Sequence, residues 1–212
     1  MLALKIKANF DQLLKEIHVT TQQLPQATAD ALSGLAFRAR EALSSEMKEK
    51  FTLRTPYTLK SLRVKRATKK DWPNPIAYIG SVAPFMGLQT EGGDKVAKNQ
   101  DVPLGAPINA RESKNAAIPH SIWVRNAMKR RKGFFWIRAK DGRRYLIQRL
   151  SNAPKGTPMD ERSKFTKALY VLEDKVKIKK RIQLLDVVNE SVRRNYKSEF
   201  LRAIEYAYGN KK

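Results

Sequence analysis

Residues 134–150 read FFWIRAKDGRRYLIQRL, in which two apolar runs flank the pair Asp141-Gly142. An Asp-Gly pair favours the tight two-residue turn of a β-hairpin, because that turn needs positive φ angles. Apolar and basic side chains alternate along the first run, which predicts one apolar and one basic face. The apolar face would hold Phe135, Ile137 and Ala139, and the other face would hold Trp136, Arg138 and Lys140. The sequence therefore predicts an antiparallel hairpin here.

The chain after this hairpin predicts one more strand and a long helix. Residues 168–172 are typical of a strand, and they follow a link that contains Pro and Gly at 152–158. Apolar side chains recur at steps of three and four over residues 181–208, which predicts an amphipathic helix. The recurring apolar residues are Leu184, Leu185, Val188, Val192, Tyr196, Phe200, Ile204 and Tyr208. Gly209 and the basic tail suit the end of that helix.

The first fifty residues predict two helices. Alternation over residues 2–6 indicates a short strand before them, or else a lead-in to the first helix. Asn9 is a suitable N-cap for a helix over 10–17. Pro25 suits the first turn of a second helix that runs to about residue 51. Its apolar stripe consists of Ala31, Leu32, Leu35, Ala36, Ala39, Leu43 and Met47.

Residues 55–120 predict a second hairpin followed by a long irregular segment. Pro56 ends the preceding helix, and one turn of helix is expected over 59–62. Strands over 63–67 and 76–82, separated by a Pro-rich break, predict a hairpin with a loose loop. From residue 84 to about 120 no period is sustained, and Gly and Pro recur. We expect an extended loop there that reaches a neighbouring molecule.

Together these elements predict an α+β fold in one domain over residues 1–212. Its parts are N-terminal helices, a central mainly antiparallel sheet of about four to six strands with the extended loop, and a long C-terminal helix packed on the sheet. With 42% hydrophobic residues, a chain of 212 residues can bury a core of ordinary size.

The positive charge of the chain is large and uneven. Forty-three Lys and Arg face 20 Asp and Glu, for a formal net charge of +23. Residues 1–50 are close to neutral, with seven basic and six acidic side chains. Residues 54–70 carry seven basic side chains and no acidic one, and residues 111–149 carry twelve against two. Such a field attracts polyanions, so nucleic acid or an acidic protein is the expected partner.

Several kinds of site are excluded or disfavoured. The chain has no cysteine and only two histidines, His18 and His120, so thiolate and histidine metal sites are not expected. No Gly-rich phosphate loop, HExxH or GxSxG motif is found. A metal-dependent nuclease would need convergence of Glu91, Asp94 and Asp101, but a polar loop explains these residues more simply. Because these motifs are missing, we expect no enzyme activity and no cofactor. We expect no membrane partner either, since no sequence window is apolar enough to span a bilayer.

The basic run at 129–132 stands directly before three aromatic residues at 134–136. Basic side chains neutralise phosphates and aromatic rings stack on exposed bases, which would suit single-stranded nucleic acid. The alternation of the strand favours a different interpretation, in which the aromatic residues pack into the core. A solvated charged face with no partner is the third alternative.

The layout as a whole resembles the minor tail proteins of long-tailed bacteriophages, and within them the minor tail protein Z or tail-completion family. The resemblance is carried by ALSGLAFRAREAL at 31–43, TPYTLKSL at 55–62, LQTEGG at 88–93, GRRYLIQRL at 142–150 and the final amphipathic helix. Glu91-Gly92-Gly93 is similar to the Glu-Gly step of related head-to-tail connector proteins. The Pro/Gly-rich segment around 94–120 departs from the family pattern.

This resemblance implies a structural virion protein without enzyme activity. It implies assembly in the host bacterial cytoplasm into a ring, commonly a hexamer, at the head-proximal end of the phage tail. There the ring would join the tail tube and its terminator to the head connector, with DNA in the channel. The alternative is a protein that binds nucleic acid independently of sequence, although no helix-turn-helix, zinc-finger or RNP pattern is visible.

Two sets of candidate contact residues follow from the charge map and the resemblance. Candidates for contact with nucleic acid or an acidic partner are Lys129, Arg130, Arg131, Lys132, Arg138, Lys140, Arg143, Arg144, Arg63, Lys65 and Arg66. The candidate subunit-contact loop is Glu91, Gly92 and Gly93.

Overall fold

The fold is α+β, and its contacts divide the chain into two compact units. The computed structural model describes residues 2–6, 23–97, 103–113, 115–130, 133–140, 142–151 and 164–209. Unit 1 comprises residues 1–92 and 179–212, and unit 2 comprises residues 93–178. The sequence led us to expect one domain with an extended loop. The chain crosses between the units at 92/93 and 178/179, and Gly93 pairs with Ile178 at these crossings.

The described residues of unit 1 include two long helices and a three-stranded sheet. The long helices are α1 (Leu24–Lys50) and α5 (Leu184–Gly209). The strands are β1 (Leu2–Ile6), β2 (Leu62–Lys65) and β3 (Ala77–Ser81), in the antiparallel order β1-β3-β2. Two short helices, α2 (Tyr57–Lys60) and α3 (Met86–Glu91), and a 3-10 turn at Lys69–Asp71 also belong to this unit.

The core of unit 1 lies between the two long helices and the inner face of the sheet. Leu32, Leu43 and Met47 of α1 are buried, as the predicted stripe requires. From α5, Phe200 and Ile204 enter the same cluster, and β3 contributes Ile79. The predicted helix at 181–208 is confirmed, with a start three residues later than expected. The strand interpretation of residues 2–6 and the 63–82 hairpin are also confirmed. The helix predicted over 10–17 lies outside the described residues.

A buried carboxylate lies in the contact between the two long helices. Glu199 of α5 is 4% exposed and accepts a hydrogen bond of 2.9 Å from Arg38 Nε of α1. Arg202 Nη2 lies 2.6 Å from its other oxygen, Oε2. The hydrogen bond to Glu199 raises the pKa of Arg38 above its usual value. Gly34 of α1 faces this carboxylate, and a Cβ at that position would overlap Oε2.

Unit 2 contains two antiparallel sheets. One is a ribbon of β4 (Gly93–Val96) and β9 (Lys175–Ile178). The other has four strands in the order β5-β8-β7-β6. Their bounds are β5 (Leu104–Pro107), β6 (Phe134–Arg138), β7 (Arg144–Arg149) and β8 (Thr166–Glu173). A short helix, α4 (Val124–Arg130), and a 3-10 turn at His120–Ile122 accompany this sheet. The sequence predicted one central sheet, whereas the described residues form three separate antiparallel sheets.

The prediction of an irregular loop over 84–120 is wrong for the described part of that segment. Helix α3 and strands β4 and β5 all lie within it. Strand β4 pairs with β9 and β5 pairs with β8, so each finds its partner far later in the chain. A four-residue strand that pairs with a distant segment is too short to show a clear alternation of apolar and polar residues. The sequence therefore did not reveal β4 and β5.

The β6–β7 hairpin is confirmed, but the predictions of its two-residue turn and of its buried face are wrong. The Gly142 N–H donates to the Ala139 carbonyl oxygen and the Ala139 N–H donates to the Arg143 carbonyl oxygen, both at 2.9 Å, so three residues separate Ala139 from Arg143. Gly142 has a φ of 80°, as the last position of such a three-residue loop requires. Phe134 packs against the core of unit 2, whereas Ile137 on the other face is 42% exposed. Trp136 shares the face of Phe134 and lies opposite the buried Leu146, which pairs in turn with the buried Tyr170 of β8. Strand β6 carries apolar residues on both faces, so the choice of face depends on these neighbouring strands.

Burial of Tyr170 makes the stability of the chain sensitive to high pH. Loss of hydration raises the pKa of this phenol, and the charge of Arg111 opposes the shift. In the unfolded chain a tyrosine titrates near pH 10. The neutral phenol therefore makes its full contribution to the free energy of unfolding below about pH 10, and this contribution is lost as pH rises through the folded-state pKa.

We expect the free energy of unfolding to fall more steeply above about pH 10 in the native protein than in the Tyr170→Phe variant. Urea titrations followed by circular dichroism at a series of alkaline pH values measure both slopes. Lysines titrate in the same range, so the comparison with the variant isolates Tyr170. Equal slopes in the two proteins would contradict this expectation.

Among the described residues, no helix has both the length and the apolar character needed to cross a membrane.

Candidate polyanion-binding surfaces

The outer face of the unit 1 sheet carries basic side chains around a tyrosine. Ala77, Ile79 and Ser81 of β3 are buried on the inner face, so Tyr78 lies on the outer face. In register, Tyr78 pairs with Lys5 of β1 on one side and Lys65 of β2 on the other. We call this the strand surface and define it by Lys5, Arg63, Lys65 and Tyr78 of the outer face, together with Arg66, which directly follows β2 and contacts α1.

Aromatic rings hold two of these cations. Lys65 Nζ lies 5.5 Å from the centre of the Tyr78 ring, and the Arg66 guanidinium lies 5.2 Å from the Phe37 ring. Within the described part of the chain, Arg63, Lys65 and Arg66 form no ion pair with a carboxylate. All three side chains are exposed to solvent, and exposed cations without a paired carboxylate attract a polyanion.

A cleft in unit 2 gathers a second group of hydrogen-bond donors. We call it the helix cleft, and its volume is about 460 Å³. It is lined by His120, Ser121, Asn126, Lys129 and Arg130. The 3-10 turn supplies the first two residues and α4 supplies the other three. Ala127 of α4 is fully buried in the unit 2 core, so the helix that presents Lys129 and Arg130 is anchored.

The hairpin provides fewer available charges than its sequence indicates. Arg144 is 28% exposed and forms an ion pair with Asp174 of the β8–β9 turn, so its charge is already neutralised. Arg138 and Lys140 are exposed, and neither forms an ion pair with a described carboxylate. Arg143 is exposed as well, and Arg131 and Lys132 lie outside the described residues. The predicted basic set is therefore divided between the strand surface, the helix cleft and the hairpin end.

Glu91, Gly92 and Gly93 do not form a loop. Glu91 ends α3, Gly92 is its C-terminal cap with a φ of 78°, and Gly93 begins β4 with a φ of 121°. Positive φ angles favour glycine, because a side chain would clash with the backbone. The Gly-Gly pair thus has a structural role at the crossing between the two units.

Among the described residues, no three His, Asp or Glu side chains are grouped to hold a metal ion. Asp94 contacts Lys175 at 2.8 Å, and Asp101 lies outside the described residues. The nuclease alternative therefore has two described carboxylates, one of them already paired with a lysine.

Sequence reasoning missed Lys5, Tyr78, His120, Ser121 and Asn126. Lys5 and Tyr78 join the basic strand only through strand pairing. Ser121 and Asn126 carry no charge signal, and they meet Lys129 because the 3-10 turn leads directly into α4. The one available signal was the short basic end of α4 at 129–130.

Comparison of this chain with protein-family models, with curated proteins and with solved structures found no match.

Proposed function

We propose that this protein is a structural subunit of a phage tail, a tail-completion or neck protein that forms a ring between the tail and the head connector. The proposal rests on the sequence resemblance to the minor tail protein Z and tail-completion family. It places the basic surfaces toward DNA in the channel or toward an acidic neighbouring protein. The observation that carries it is the strand surface, whose cations have no described carboxylate partner.

Exposed apolar side chains support an assembling protein. Tyr57, Phe85 and Tyr206 of unit 1 are large and exposed, and the rings of Tyr57 and Phe85 are 6.4 Å apart. In unit 2, Trp136 is exposed. Exposed aromatic residues are typical of protein interfaces, where they supply contact area at low entropic cost. A ring needs two different surfaces on each subunit, one to meet each neighbour.

A reconstruction of the virion neck tests the proposal directly. The expected result is a closed ring of this chain between the tail tube and the head connector. An isolated monomer that never joins virions, as seen by sedimentation and by analysis of purified particles, would refute it.

The strand surface is tested by removing its charge. We expect the triple variant Arg63→Gln, Lys65→Gln and Arg66→Gln to yield markedly fewer complete particles when it replaces the native subunit, because the polyanion loses its counter-charge. Counting tailed, DNA-filled particles by electron microscopy measures the effect. Arg193→Gln with Lys197→Gln on the exposed side of α5 is the control, and it should leave the count near normal. Equal counts for the triple variant and the native protein would rule out this role for the strand surface.

A free nucleic-acid-binding protein is the second candidate, and the helix cleft favours it. Such binding would be independent of sequence and would weaken steeply with salt, because counterions are released from the phosphates. Binding that stays tight at high salt, or the absence of any DNA binding, would count against this candidate.

A further inference from the structure

We propose that the helix cleft is a nucleotide-binding site, in which Lys129, Arg130 and Ser121 hold a phosphate group and Trp123 stacks on the attached base. This inference does not depend on ring assembly. It concerns a single nucleotide unit, which single-stranded nucleic acid or a free nucleotide could supply.

The side chains that line the cleft suit a phosphate. All five carry N–H or O–H donors, and no carboxylate is among them. The Asn126 amide donates a hydrogen bond of 2.8 Å to the His120 carbonyl oxygen, which fixes the side of the cleft that joins the turn to α4. Ser121, Lys129 and Arg130 are exposed and therefore available to a ligand. Phosphate offers several acceptor oxygens and matches the planar donor fork of arginine.

The tryptophan beside the cleft is held in place yet exposed. Trp123 Nε1 donates a hydrogen bond of 3.0 Å to the Ile118 carbonyl oxygen. Its ring meets the His120 ring edge-to-face, with the centroids 4.4 Å apart. The side chain is nevertheless 50% exposed. A fixed and exposed indole is a stacking platform for a base, and His120 links it directly to the cleft.

This juxtaposition distinguishes a nucleotide from an acidic peptide. A carboxylate would satisfy Lys129 or Arg130, but an acidic side chain has no planar ring to cover Trp123. A nucleotide carries its phosphate and its base on one sugar, so one unit can occupy both places. In a duplex the bases are already stacked on each other, and we therefore expect single strands to bind better.

The full-length protein should be titrated with a fluorescently labelled oligothymidylate of about twelve nucleotides, within the usual site sizes for single strands. Competition with thymidine monophosphate, a matching duplex, inorganic phosphate and a polyglutamate peptide identifies the ligand class. We expect the oligonucleotide to bind more tightly than the duplex and the peptide. Competition by the mononucleotide at lower concentration than inorganic phosphate would show that the base contributes.

Two sets of variants test the named residues. Lys129→Ala with Arg130→Ala should weaken binding about ten-fold or more, and should lower the salt slope by about 0.7 for each phosphate that the variant no longer neutralises. Its control, Arg193→Ala with Lys197→Ala, removes the same charge from α5 and should have a much smaller effect. Trp123→Leu should weaken binding about ten-fold, while Trp123→Phe keeps an aromatic ring and should retain most of the affinity. Circular dichroism confirms that each variant is folded.

Three outcomes would overturn the proposal: peptide binding as tight as oligonucleotide binding, equal losses for the cleft variant and its α5 control, or equal affinities for Trp123→Leu and the native protein. If virion rings form normally while the cleft variants bind oligonucleotide unchanged, this inference fails and the proposed function stands. If oligonucleotide binding behaves as expected while no ring is found, the nucleotide-binding inference stands and the proposed function fails.

Discussion

Replacing Phe200 by alanine is expected to lower the free energy of unfolding by about 3–5 kcal/mol. Phe200 is completely buried, and it lies in the core between α5, α1 and the three-stranded sheet. Removing its ring takes away the transfer free energy of a large side chain and leaves a cavity that neighbouring side chains fill only in part. Small domains are stable by only about 5–15 kcal/mol, so the variant would lose a large part of its stability.

Urea unfolding followed by circular dichroism measures this loss. The adjacent Leu201, which is 36% exposed, provides the control. Leu201→Ala changes a similar apolar side chain on the same turn of α5 but leaves little or no cavity, so its cost should stay below about 1 kcal/mol. Similar losses for the two variants would mean that Phe200 does not occupy the core position described above.

The second large effect is a coupling between Gly34 and Glu199. In the native protein, Gly34→Ala should destabilise, even though alanine is the better helix residue by about 1 kcal/mol. The new methyl group would overlap the Glu199 carboxylate, which would have to leave Arg38 or Arg202 to make room. Disturbing a buried, hydrogen-bonded carboxylate costs about 1–3 kcal/mol, which exceeds the gain in helix propensity.

In the Glu199→Ala background, Gly34→Ala should raise the free energy of unfolding instead of lowering it. The carboxylate is then absent, the two arginines are exposed enough to remain hydrated, and the helix gains up to about 1 kcal/mol from Gly34→Ala. The double-mutant cycle should therefore show a coupling free energy of about 2 kcal/mol. Thermal or urea unfolding of the native protein, both single variants and the double variant measures it.

Gly87→Ala is the matched control for this cycle. Gly87 lies in helix α3, and a Cβ there would meet no atom within 4 Å. Its substitution should be neutral or mildly stabilising, with no dependence on Glu199. A coupling near zero between Gly34 and Glu199 would show that the carboxylate can move away without cost.

Much of the fold could be predicted because local patterns were strong. The apolar stripe of α1 and the three- and four-residue steps of α5 each extend over many turns, and such long periods survive any tertiary context. The 134–150 hairpin could be predicted because a glycine-containing turn signal separates two apolar runs, and Gly142 does adopt a positive φ of 80°. The type of turn could not be predicted, because the pairing of Ala139 with Arg143 gives a loop of three residues and not two. The mixed α+β class followed from these elements.

The sequence predicted residues of the candidate sites only through their positive charge. Lys129, Arg130, Arg63 and Lys65 were identified because they belong to basic runs. Arg144 was identified for the same reason, yet it pairs with Asp174 thirty residues away. A net charge counts residues without regard to their partners, and so it cannot separate an available cation from a neutralised one.

The amino-acid sequence by itself determined the two long helices, the hairpins and the uneven distribution of charge, because each of these arises from residues near one another in the chain. Only the tertiary structure decided that 93–96 and 104–107 form strands, that Phe134 is the core-facing aromatic of its strand, and that Glu199 is buried against Gly34. It also decided which cations meet Tyr78 and which donors surround the helix cleft. Each of these depends on contacts between distant segments, and such contacts are set by packing and strand register and not by local propensity.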